Sequence, residues 1–342
     1  ARGGVARPHF PGRSDLSTTV SAAAVAAAAA AAALVPRLTG RRSAPASRIP
    51  EICRRRIRSK PRTFSSSPSF PIVPAAAMAT DGAASDAGSK KKLLIFDSEE
   101  DLAVSLAKYT AELSEKFAAE RGAFTAVLSG GSLIQALRKL TEPPYLDSVD
   151  WSKWHVFWVD ERVVRKDHVD SNYKLAFDGF LSKVPIPPGQ VYAINDALSA
   201  EGAADDYEAC LKQLVKNGVI SMSAATGFPR FDLQLLGMGP DGHIASLFGG
   251  HPLVNEKERW VTYIKDSPKP PPERITFTFP VINSSAYVAM VVTGVGKAGA
   301  VQKALSDKQT SSDLLPVEMA VLQDGEFTWF SDKPAVSMLQ NN

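Results

Sequence analysis

From position 92 to position 330 the apolar residues follow two rhythms in turn. Lys92-Leu93-Leu94-Ile95-Phe96-Asp97 is a short apolar run, and Ser98 to Glu120 then spaces Leu102, Leu106, Tyr109, Leu113 and Phe117 three or four residues apart. The run predicts a strand and the spacing predicts an amphipathic helix, with Ser98 and Asp101 forming a variant of the capping box at its start. Phe124–Leu128 predicts a second strand, with a short helix over 133–140 behind it, and Trp154–Val159 predicts a third. Helices are expected near 171–182 and 201–217, with a strand at Val191–Ile194 between them. Phe231–Leu236 reads as a buried strand, 274–279 alternates as a half-exposed one, and Tyr287–Thr293 is continuously apolar. A helix over 297–305 and a strand at Phe327–Phe330 close the pattern. Strands alternating with helices predict an α/β fold: a doubly wound, mostly parallel sheet with helices on both faces.

The first 77 residues do not join this pattern. Val20 to Val35 is almost pure alanine, and Arg37, Arg41, Arg42 and the cluster Arg54-Arg55-Arg56-Ile57-Arg58 follow. The alanine tract is weakly apolar and shorter than the roughly 20 residues of a membrane span. Arginine- and serine-rich, acid-poor composition is that of an organellar transit peptide. The organisation expected is therefore a transit peptide or disordered leader over 1–77, a flexible Gly/Ser/Lys linker over 78–92 and one α/β domain over 93–342. A cytosolic product starting at Met78 is the alternative to an imported one. The net charge of +3 hides this division: 1–77 holds 13 Lys+Arg against 2 Asp+Glu, which leaves 26 against 34 for the remainder. An acidic body argues against nucleic acid as a partner. Cys53 and Cys210, on opposite sides of the boundary, make neither a disulfide framework nor a metal site.

In a doubly wound sheet the loops at the carboxyl ends of the strands meet in one crevice. Gly237-Met238-Gly239-Pro240-Asp241-Gly242-His243 leaves such an end, and its glycines predict a tight loop with Asp241 and His243 at the tip. Histidine titrates nearest neutrality and can take a proton from water. Ser129-Gly130-Gly131-Ser132, between a strand and a helix, presents backbone N–H groups and hydroxyls suited to a phosphate. Asp160-Glu161-Arg162 closes an apolar strand, and Arg274 and Lys297 stand at element starts as further cations for an anionic group. Gly237, Gly239 and Gly242 also match the dinucleotide fingerprint, but Pro240 and His243 stand where its helix should begin and no acid-terminated strand follows.

Six segments in order, Ser129–Ser132, the strand into Asp160-Glu161-Arg162, Ser171-Asn172-Tyr173, Gly237–His243, Arg274-Ile275-Thr276, and Thr293-Gly294 with Lys297-Ala298, closely resemble the 6-phosphogluconolactonases. The resemblance runs from about 93 to 335, and with its leader the chain is similar to plant plastid forms. Leu133-Ile134 and Gly249 depart from the family's usual residues beside the site. The resemblance implies hydrolysis of 6-phospho-D-glucono-1,5-lactone, the second step of the oxidative pentose phosphate pathway, with no metal or organic cofactor. In that reading His243 takes a proton from water and returns it to the ring oxygen, and Asp241 or Asp160 orients the imidazole or the sugar hydroxyls. Arg162 or loop N–H groups face the oxyanion. Ser129, Gly130, Gly131, Ser132, Arg274 and Lys297 hold the phosphate. The expected partner is the sugar-phosphate lactone alone, without nucleic acid or membrane, bound by a monomer or weak homo-oligomer.

Two other readings share these residues. Glucosamine-6-phosphate deaminases resemble the chain in the Gly-Gly-Ser loop and Asp-Gly-His, yet carry Asn-Glu-Pro soon after the histidine. Here Leu247-Phe248-Gly249 offers no carboxylate. A non-catalytic sugar-phosphate sensor is the other.

Overall fold

The computed structural model describes residues 91–306 and 314–339. The leader with Cys53, Met78 and most of the 78–92 linker lie outside the described residues. The linker's end is corrected: residues 91 and 92 already belong to the first strand, β1 (Lys91–Phe96).

Six strands build the main sheet: β1, β2 (Phe124–Leu128), β3 (Trp154–Trp158), β5 (Leu233–Gly237), β8 (Tyr287–Val292) and β9 (Glu326–Asp332). Their order is β1-β9-β8-β5-β2-β3, and every neighbouring pair is parallel. Successive side chains on a strand point to opposite faces, and the apolar residues divide accordingly. Val127, Phe157, Leu236, Val288 and Met290 enter one core; Ala126, Leu128, Trp158, Leu235, Ala289 and Val291 enter the other. Both faces are buried, so these strands read as near-continuous apolar runs.

Helices cover each face. On one, α1 (Glu99–Arg121) buries Leu102, Leu106, Leu113 and Phe117, accompanied by the short α2 (Ser132–Ala136) and by α3 (Asn172–Gly179). On the other, α4 (Ala200–Lys216) buries Ala203, Tyr207, Leu211 and Leu214, and α5 (Ala298–Leu305) adds Ala300, Val301 and Ala304. The expected cap of α1 is present: Ser98 Oγ accepts from the Asp101 N–H at 3.1 Å. Each fully buried aromatic ring, Phe124, Trp154 and Phe157 among them, contributes about 2–3 kcal/mol of transfer free energy.

A second sheet was not anticipated. β4 (Asp160–Arg162), β6 (Val261–Ile264) and β7 (Arg274–Phe277) form an antiparallel ladder in the order β4-β7-β6. The Phe277 N–H donates to the Val159 carbonyl at 2.7 Å, tying the ladder to the end of β3. Two expectations are thereby corrected. All four residues of β7 are buried, because they lie inside this ladder, so the stretch is not half-exposed. Val191–Ile194 is not a strand of either sheet; Val191 makes one isolated bridge to Val156. No helix among the described residues is long and apolar enough to cross a membrane.

Candidate active site

The carboxyl ends of β2, β3 and β5, together with the second sheet, enclose a cleft of about 320 Å³. Ser129, Gly130, Gly131, Ser132, Asp160, Arg162, His243, Arg274 and Lys297 all line it. Asp241, the remaining candidate, meets His243 at its edge.

The glycine loop leaves β5 and turns at once. Gly242 N–H donates to the Gly239 carbonyl, and Gly239 N–H to the His243 carbonyl, each at 2.9 Å. A Cβ on residue 239 would lie 2.1 Å from Cε1 and Nδ1 of His243. Only glycine lets the imidazole fold back over its own turn. The ring also rests against Phe248, with centroids 4.6 Å apart.

Within that turn His243 Nδ1 is 2.6 Å from Asp241 Oδ1. Lys269 Nζ, from the proline-rich loop before β7, donates to the same oxygen at 2.9 Å and lies 3.3 Å from Nδ1. Burial pushes the Asp241 carboxyl up, but the hydrogen bonds from Lys269 and His243 outweigh it and hold it at about 2. An ionised carboxylate only accepts hydrogen bonds, so Nδ1 carries the proton and Nε2 keeps its lone pair. Burial also lowers His243 itself; Asp241 opposes that and Lys269 adds to it, which leaves the free base favoured at neutral pH.

Asp160 has a different environment. It is 5% exposed, and its Oδ2 accepts from Ser246 Oγ at 2.8 Å; no hydrogen bond joins it to His243. Ser246 is also 3.4 Å from Arg274 Nη1. The rest of the Arg274 guanidinium is engaged with the proline-rich loop: Nε donates to the Pro271 carbonyl at 3.0 Å, and Nη2 to Lys269 and Pro270 carbonyls at 2.7 and 3.1 Å. Of its five N–H donors, four have protein partners. Burial and the neighbouring Arg162 lower Arg274 from the usual arginine range.

The register of the second sheet explains that neighbour. Arg162 pairs directly opposite Arg274, and facing like charges on adjacent strands repel. Arg162 Nη1 donates to the Asp170 carbonyl at 2.8 Å, whereas its buried Nε has no partner. Lys297, at the start of α5, reaches across to the Met238 carbonyl on the glycine loop. Burial and Lys269 lower it from the usual lysine range.

The serine–glycine loop is fastened at both ends. Ser129 Oγ accepts from the Gly237 N–H at 2.9 Å, which joins it to the glycine loop. A Cβ on residue 130 would lie 2.0 Å from Asn172 Oδ1, so Gly130 is required for Asn172 to pack there. Asn172 Nδ2 in turn donates to the Asp160 carbonyl at 3.0 Å. Glu161 sits behind, 2% exposed, accepting from the N–H groups of Arg162, Asn172 and Tyr173 at 2.7 Å each. It fixes the start of α3 against β4.

The sequence assigned no role to Lys269, Asn172 or Ser246, and Glu161 stood out only as part of the charged strand end Asp160-Glu161-Arg162. Ser171-Asn172-Tyr173 was visible as a motif without a role, and Lys269 is hidden in a proline-rich run. Among the described residues no group of three or more His, Cys, Asp or Glu side chains is arranged to hold a metal ion.

Residues 97–329 match the family model described as glucosamine-6-phosphate isomerases/6-phosphogluconolactonase. A protein of Oryza sativa subsp. indica named probable 6-phosphogluconolactonase 4, chloroplastic, is 80% identical over 312 residues, 89% of this chain and 94% of that one. A protein of Arabidopsis thaliana named 6-phosphogluconolactonase 3, chloroplastic, is 66% identical over 250 residues, 73% of this chain and 76% of that one. Among solved structures, 6-phosphogluconolactonase from Trypanosoma cruzi superposes with a TM-score of 0.65 at 26% identity, covering 74% of this chain and 98% of that one. Parallel sheet, glycine-borne histidine and cation-lined cleft thus occur together in a chain that belongs to the family of glucosamine-6-phosphate isomerases and 6-phosphogluconolactonases.

Proposed function

We propose that the protein is a 6-phosphogluconolactonase, hydrolysing 6-phospho-D-glucono-1,5-lactone to 6-phospho-D-gluconate in the oxidative pentose phosphate pathway. The observation that carries this reading is the 2.6 Å contact between His243 Nδ1 and Asp241, set at the mouth of a cleft lined by four cations.

A lactone needs a base for water, donors for the carbonyl oxyanion and a proton for the departing ring oxygen. His243 Nε2, left unprotonated by the Asp241 contact, takes a proton from water as the water oxygen bonds to the carbonyl carbon. The tetrahedral intermediate then collapses, the carbon–ring oxygen bond breaks, and the imidazolium returns its proton to that oxygen. Arg162, whose guanidinium lines the cleft, supplies a donor for an anionic oxygen. The facing Arg162–Arg274 pair gains most when an anion lies beside it. The 6-phosphate rests on the Ser129–Ser132 loop, Lys297 and the remaining N–H of Arg274. Asp160, held by Ser246 and Asn172, faces the sugar hydroxyls. One chain contributes every one of these groups, so a monomer suffices.

The deaminase reading loses its support at the same place. After the histidine the chain puts the Phe248 ring against the imidazole, where that chemistry calls for a carboxylate. The oxidative pathway is placed in the plastid, since relatives at 80% and 66% identity bear chloroplastic names and the arginine-rich leader suits import. One paired assay tests the activity: lactone consumption corrected for spontaneous opening, beside ammonia release from glucosamine 6-phosphate. The first is expected and the second is not; the reverse result overturns the proposal.

A further inference from the structure

Lys269 is the one cation of the cleft whose charge meets the histidine–aspartate pair directly. Its Nζ and His243 Nδ1 converge on a single oxygen, Asp241 Oδ1, at 2.9 and 2.6 Å, and stand 3.3 Å from each other. That position is built. Arg274 holds the carbonyls of Lys269, Pro270 and Pro271, Ser267 Oγ donates to the Lys269 carbonyl at 2.9 Å, and Ser267 N–H closes the loop onto the Pro272 carbonyl at 3.1 Å. An arginine 3% exposed, with three of its bonds directed at one short loop, holds the lysine that the loop carries.

We propose that Lys269 is a positioning residue for this site: clamped by Arg274, its ammonium locks the Asp241 carboxylate onto His243 Nδ1–H and limits how strongly that carboxylate favours the imidazolium. A carboxylate alone beside an imidazole would raise its basicity and trap the proton after water attack. A second cation on the same oxygen repels the imidazolium, so the ring returns to its neutral form and passes its proton readily to the leaving oxygen. The charged groups facing His243 are Asp241 on its own loop, Lys269 on the proline-rich loop and Asp160 at the end of β3; Arg162, Arg274 and Lys297 line the cleft beyond. Lys269 is the nearest cation among them, and its direction of action, lowering His243, agrees with the geometry.

The inference deepens the lactonase reading, and its test separates the two. The titration of His243 is followed by NMR of the ring Cε1–H in the free full-length protein, assigned by its loss in His243→Gln, alongside the pH profile of lactone kcat/KM. In Lys269→Met the His243 midpoint and the acid limb should both move upward by about one pH unit, the low end for a charge within ~4–6 Å because the lysine is partly solvated. Activity at pH 6 should then fall several-fold and recover by pH 8, while Lys269→Arg should keep the wild-type midpoint. An unmoved midpoint in Lys269→Met overturns the inference. So does a raised KM with an unchanged acid limb, which would make Lys269 a substrate-binding cation. A shifted midpoint in a protein with no turnover above spontaneous opening supports the Lys269 assignment and sinks the lactonase reading.

Discussion

Catalysis at this site turns on which nitrogen of His243 holds the proton. Asp241 decides it, because a carboxylate held at about 2 is ionised wherever the enzyme works. Asp241→Asn keeps the size but can turn an NH2 donor toward Nδ1, which drives the proton to Nε2 and removes the base. A loss of roughly 10²–10⁴ in kcat/KM is expected in steady-state assays, with the unfolding midpoint little changed. The pH dependence has a definite sign. The base works unprotonated, and burial lowers His243, so the acid limb of kcat/KM should have its midpoint below about 6.5 and be flat from pH 7 to 8. A limb centred above 7 would contradict the burial described. His243 and Asp241 were legible in the sequence because two residues and a glycine turn place them together. Lys269, 26 residues further on, was not: only the fold of the proline-rich loop around Arg274 carries it there. Arg274 itself was read as a phosphate cation, and much of its guanidinium proves to be holding that loop.

Among the elements, the long parallel strands and the helices that cover them could be read from periodicity, since both faces of the sheet are buried. The second sheet could not. Its strands have three or four residues each, too few for a rhythm, and the register that sets Arg162 opposite Arg274 is a tertiary fact. Val191–Ile194 misled for the complementary reason, since an apolar run beside a sheet can pack without joining its ladder. The opposite end of the strands provides a control for the site. Asp232, just before β5, accepts from Thr125 N–H and Oγ at 2.7 and 2.8 Å and from Arg121 Nε and Nη2 at 3.2 and 2.9 Å, joining α1 to β2. Asp232→Ala should destabilise the fold by roughly 3 kcal/mol, because it strands a largely buried guanidinium and a buried N–H. Urea unfolding should show the loss, while kcat/KM of the remaining folded enzyme stays within about twofold, this being the far edge of the sheet from the cleft. A large drop in kcat/KM would mean that the two ends are coupled.

For the molecule as a whole, the cleft draws on segments of the chain from residue 129 to residue 297, and no segment alone accounts for it. The parallel sheet gathers three strand ends at one edge, the antiparallel ladder adds two arginines, and the start of α5 adds a lysine. The measurement that bears most directly on this assembly is lactone hydrolysis by the wild type and by His243→Ala at pH 7.5, each corrected for spontaneous ring opening. Clear turnover by the wild type and a fall of roughly 10²–10⁴ in kcat for the variant are expected, with substrate affinity retained through the cations. A variant that hydrolyses the lactone as fast as the wild type would rule out His243 as the base.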